Sequence, residues 1–110
     1  MPYAHEIPCR IATGTYVGDG NATQVITGVG FRPKYVVIYR EFSSQSNFYT
    51  KTDRDGVNSL YFIIGGAVYY EADYIISLDS GGFTVGDGTG GTGANQLNNL
   101  GVNYTYVCMG

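Results

Sequence analysis

GTYVGDGNATQVITGVGFRPKYVVIYR, residues 14–40, closes on the segment whose reading decides the fold. Tyr35-Val36-Val37-Ile38-Tyr39 is apolar on both alternating faces and built around three consecutive β-branched residues. Such a run suits a strand, and a strand tolerates two apolar faces only when both are covered. The pattern therefore predicts a central strand, covered on one side by a second sheet and on the other by a loop or another subunit. Tyr35, Val37 and Tyr39 are expected on one face, Val36 and Ile38 on the other. Upstream, Gly18-Asp19-Gly20-Asn21 and the segment from Gly28 through Gly30 to Pro33 are turn chemistry, so Gly18, Gly20, Gly28, Gly30 and Pro33 read as corners.

Working outward, further strand-length segments lie at residues 10–17, 23–27, 47–51, 59–64, 73–78, 82–85 and 102–109, and no stretch carries a 3.6-residue apolar stripe. Turn residues separate nearly all of them, at intervals of about ten residues, the rhythm of an all-β sandwich or small barrel. The last segment alternates cleanly, with Val102, Tyr104, Tyr106 and Cys108 facing one way. Other positions expected in core or interface are Tyr16, Phe31, Phe62, Ile64, Ile76 and Phe83. The fold class is all-β: a single small β-sandwich, jelly-roll-like or Greek-key, over residues 9–110, preceded by an extended N-terminal arm at residues 1–8, which hold two prolines and no strand pattern. Residues 86–101, GDGTGGTGANQLNNLG, form a long loop without regular pattern, and such loops usually serve contact or function.

Composition narrows the chemistry. The chain has 110 residues, 44% hydrophobic, 15% aromatic and 14% charged, with eleven Tyr and no Trp, enough to hold a core without metals or disulfides. Its net charge is -3 and its six basic residues are scattered, which argues against a nucleic-acid partner and against a basic membrane patch. Residues 1–10 have neither the basic start nor the apolar core of a signal peptide, and no apolar run approaches membrane-spanning length, so the expectation is a soluble chain. Cys9 and Cys108 lie near opposite ends, where they could meet if the first and last strands are neighbours; without a secretory signal two buried free thiols are expected. Zinc is unsupported because His5 is the single histidine.

The catalytic motifs fail individually. Gly86-Asp87-Gly88-Thr89-Gly90-Gly91 matches the dinucleotide fingerprint, but no helix-forming sequence follows it. Asp53-Arg54-Asp55-Gly56 has the spacing of a calcium loop, yet Ile64 stands where the closing Glu would be, and a hairpin turn is the better reading. A nucleophile–His pair would have to draw on His5 in the arm, and the carboxylates lie mostly in turns. No cofactor is expected, and contact replaces catalysis. The candidate contact residues are Tyr3, His5 and Ile7 of the arm, the adjacent Tyr69 and Tyr70, and Asp87, Thr89, Thr92, Asn95, Gln96, Asn98 and Asn99 of the long loop.

Three motifs together carry a resemblance: Gly14-Thr15-Tyr16-Val17-Gly18-Asp19-Gly20; Gly30-Phe31-Arg32-Pro33 before the apolar strand; and Gly82-Phe83-Thr84-Val85 with the closing Gly101-Val102-Asn103-Tyr104-Thr105-Tyr106-Val107-Cys108-Met109. From about Thr13 to Gly110 the chain resembles a small glycine-rich β-domain of tailed-bacteriophage virion proteins. The resemblance implies a non-enzymatic virion structural protein made in the host cytoplasm: a decoration or accessory subunit docking on capsid or tail proteins. The alternative it implies is a tail-fibre or tail-tip module that binds a host receptor or surface glycan. It also implies a homo-oligomer, with a trimer favoured. Because the chain starts at its own Met1 and ends at Gly110 with no shaft segment, a separately made subunit is expected.

Overall fold

The apolar run around Val37 becomes the third strand in a six-stranded antiparallel sheet. The structure, a computed structural model, describes residues 10–40, 47–63, 68–87 and 97–110. Those residues form nine strands: β1 (Ile11–Val17), β2 (Thr23–Ile26), β3 (Tyr35–Arg40), β4 (Asn47–Thr52), β5 (Asn58–Ile63), β6 (Val68–Ala72), β7 (Ile75–Asp79), β8 (Gly82–Gly86) and β9 (Asn103–Met109). The large sheet runs β1-β9-β3-β4-β5-β6 and the small one β2-β8-β7, with every pairing antiparallel. Strands β3 to β6 are a meander. The chain then crosses to the small sheet through the β7–β8 hairpin and returns as β9 beside β3, a Greek-key order rather than the paired four-stranded sheets of a jelly roll.

The core lies between the sheets and follows the period-2 alternation of each strand. Val36 and Ile38 of β3 are fully buried, as are Tyr49, Tyr61, Tyr104 and Cys108 beside them; Ile75, Phe83 and Val85 close over this layer from the small sheet. Phe83 meets the Tyr16 and Tyr106 rings edge-on, at 6.2 and 5.1 Å, and so joins β8 to β1 and β9. Gly14 is required by packing: a Cβ there would stand 2.5 Å from the Tyr106 hydroxyl. The corners behave as their residue types demand, with Gly20, Gly28 and Gly30 at φ of 77°, 85° and 92°.

One expectation needs correction. Strand β6 was not anticipated, because its turn into β7 contains no glycine or proline; Asp73 takes the left-handed conformation instead, at φ 70°. Phe62, expected in core or interface, lies on the face of the large sheet turned away from the small one, paired with Phe48 and Val68. Ile76 is half-buried, at the irregularity between Ile75 and Ser77 in the β7–β8 pairing. Ile64 and the arm at residues 1–8 lie outside the described residues. Cys108 is a buried free thiol, and Cys9 also lies outside the description.

Candidate interaction surface

In an antiparallel sheet, paired residues share a face, so the registers of the six strands read out the side turned away from the small sheet. One rank of that outer face crosses the sheet as Thr13, Val107, Val37, Thr50, Leu60 and Tyr70. The next crosses as Thr15, Thr105, Tyr39, Phe48, Phe62 and Val68. A third begins Ile11, Met109, Tyr35 and Thr52. No position in the three ranks is charged. Phe48 and Phe62 stack at 4.5 Å, and Tyr39 lies 6.3 Å from Phe48, giving an aromatic patch over β3, β4 and β5. Tyr39 is 49% exposed and Val68 56%, and among the described residues no element covers them. A face this apolar costs solvation free energy in water and gains from a partner.

The patch runs on to β6, the last strand of the large sheet among the described residues. Tyr70, 51% exposed, donates its hydroxyl to Asp55 Oδ1 at 3.0 Å and so ties the edge to the β4–β5 turn. Tyr69 stacks on the buried Tyr61 at 5.6 Å with its own ring partly open to solvent. Both expected contact tyrosines are therefore at the surface, but they point to opposite faces of the sheet.

The end of the long loop has a different role. Asn98 is fully buried, and its carboxamide donates to Asp19 Oδ1 at 2.6 Å and to the Asn21 carbonyl at 3.0 Å while accepting the Asp19 amide at 3.1 Å. The Gly20 amide adds a bond to the Asn98 carbonyl at 3.0 Å. Hydrogen bonds from the Asn21 amide and from Asn98 hold the Asp19 carboxyl below the ordinary carboxylate range. Asn98 is thus a clamp between the Gly18-Asp19-Gly20 turn and the start of β9, and it is withdrawn from the surface on which it was expected. Asn99 gives its amide to the Tyr104 hydroxyl at 3.0 Å, and Asp87 gives its amide to the Ala22 carbonyl at 3.1 Å. Tyr3, His5, Ile7, Thr89, Thr92, Asn95 and Gln96 lie outside the described residues.

Residues 10–108 match the model of a family described as a domain of unknown function, DUF7483. The chain belongs to that family. No curated protein and no solved structure matches it.

Two further features of this DUF7483 domain were tested for chemistry. A cavity of about 260 Å³ at the seam of the sheets is lined by Arg32, Lys51, Thr52, Asp53 and Ser77 among others. Its cations serve the chain itself: Arg32 donates to the Leu78 carbonyl at 2.6 Å, and Lys51, 2% exposed, donates to the carbonyls of Gly56 and Asn58. Desolvation lowers the Lys51 pKa, with the nearby Asp55 opposing the shift. Among the described residues no group of three His, Cys, Asp or Glu side chains could hold a metal.

The second feature is the tyrosine layer of the DUF7483 core. Tyr49, Tyr61 and Tyr74 stack on one another at 4.9 to 5.4 Å, and Tyr16 stacks on Tyr104 at 4.9 Å with its hydroxyl on the Leu97 carbonyl. Burial raises the pKa of Tyr16 and Tyr49 well above the ordinary phenol value and pushes Tyr61 up to about 12 and Cys108 to about 11. The unfolded chain loses these protons first, from about pH 10 for a tyrosine, so the stability they hold is intact below that and is lost as pH rises through the folded values. Alkaline titration is expected to show the exposed phenols ionising reversibly, then a cooperative step in phenolate absorbance coincident with loss of tertiary circular dichroism. Smooth ionisation of all the tyrosines without unfolding would contradict the buried layer.

Proposed function

We propose that this domain is a non-enzymatic structural subunit of a tailed-bacteriophage virion, a decoration or accessory protein docking on the particle, whose assembly buries the outer face of its six-stranded sheet. The observation that carries the reading is that face: three ranks of apolar, aromatic and hydroxyl side chains without a charge, on a chain with net charge -3. Burial of apolar and aromatic area against a neighbouring subunit of the assembly is the mechanism, each anchor contributing about 1.5–3 kcal/mol when fully desolvated. The motif resemblance supplies the virion setting and, with it, self-assembly. A second reading, a receptor- or glycan-binding tail module, draws on Tyr69 and Tyr70, whose exposed rings on the β6 edge offer stacking surfaces for a sugar.

The test is localisation. Particles of the virus that encodes this chain, purified through a density gradient, are expected to contain it in a fixed ratio to the major capsid or tail protein, with density for a six-plus-three-stranded sandwich in the particle map. A chain found only outside particles in infected cells would overturn the reading.

A further inference from the structure

We infer that the outer face of the six-stranded sheet closes on a second copy of this chain, two sheets stacking face to face about a two-fold axis. The inference rests on the reading of that face as the interaction surface and specifies what covers it. Charge is the first argument. Two copies of a protein with net charge -3 repel, and any like charge carried into a shared face would be paired with itself in an isologous interface. The three ranks carry none, and the carboxylate that borders them, Asp55, already accepts hydrogen bonds from Tyr70 and Thr52, so the chain can meet its own copy on this side without burying an unpartnered charge.

Area is the second argument. Six strands about 4.8 Å apart and about 20 Å long give a footprint of about 580 Å² per copy, or about 1,200 Å² over both, at the lower bound of a stable specific interface. The aromatic patch of Tyr39, Phe48 and Phe62 gives that area an anchor of the kind that dominates interface energetics. Sheets with complementary inner faces pack about 10 Å apart, and here the large sheet would acquire a second such layer, its inner one being the small sheet. The pairing is two-fold, in place of the three-fold assembly that the resemblance implied.

Sedimentation velocity of the full chain decides it. The expected result is a species of twice the chain mass at micromolar concentration. Tyr39→Glu, at a half-exposed position, is expected to raise the dimer dissociation constant at least about 100-fold while the melting temperature of the dissociated protein stays within a few degrees of the wild-type monomer's. Thr13→Glu, in the same face on the edge strand β1, gives a second variant and is expected to weaken the dimer in the same sense. A wild-type monomer at several hundred micromolar, a trimer, or a dimer indifferent to both charges would each overturn the inference. Localisation to particles is read separately, so a monomeric chain found on virions sinks the two-fold pairing and leaves the structural role standing.

Discussion

Ile38→Asp is expected to leave the chain without a cooperative unfolding transition. Ile38 is fully buried at the middle of β3, paired with Tyr106 on one side and Tyr49 on the other, in a strand that is interior to the sheet. The substitution removes an apolar side chain worth about 1.5–3 kcal/mol of burial. It also places a carboxyl among buried tyrosine rings, where its desolvation costs several kcal/mol more. A domain of this size has about 5–15 kcal/mol in all. Ile38→Val is the control, with an expected cost of about 1 kcal/mol and an unchanged fold. Circular dichroism and thermal melts read both. An Asp variant that melts cooperatively within about 10 °C of the wild type would remove Ile38 from the core.

Asn98→Ala is expected to destabilise the protein by about 3 kcal/mol, a fall of about 12 °C in melting temperature, although the residue lies in a segment without secondary structure. Three side-chain hydrogen bonds disappear together, and the Asp19 amide and Asn21 carbonyl lose their partner in a partly buried turn. The Asp19 carboxylate then loses one of the hydrogen bonds that hold it down while keeping the Asn21 amide, so its pKa should rise toward the ordinary range. Asn98→Asp separates shape from chemistry. It keeps the acceptor for the Asp19 amide but sets one carboxylate against another, so the loss at neutral pH should be at least as large and should shrink as the pH falls and one carboxyl is protonated. A melting temperature unmoved by either change would show that the turn is held without the clamp.

What could be read before folding and what could not divide along physical lines. Alternation is written locally, because a strand turns successive side chains to opposite faces; Tyr104, Tyr106 and Cys108 were therefore assignable to the core from spacing, and Val36 and Ile38 to one common face. The corners were equally legible, since Gly20, Gly28 and Gly30 adopt a backbone conformation that other residues resist. Strand β6 escaped because the turn after it is made by Asp73, whose left-handed conformation leaves no composition mark. For Phe62 the choice between core and interface was not legible, because an apolar residue shows that it is covered or sticky, not by what.

By itself, then, the sequence determined an all-β chain, its corner positions, and a central strand apolar on both sides. Only the tertiary structure decided how those strands divide between six and three, because pairing order depends on contacts between residues far apart in the chain. It also decided that Asn98 reaches back 79 residues to Asp19, a bond no local pattern announces. And it separated two sets of aromatics that look alike in sequence: Tyr49 and Tyr61 lie under the small sheet, while Phe48 and Phe62, one residue earlier and one later, lie on the face turned away from it. A single step along a strand reverses the direction of a side chain, and three strands cannot cover both sides of six.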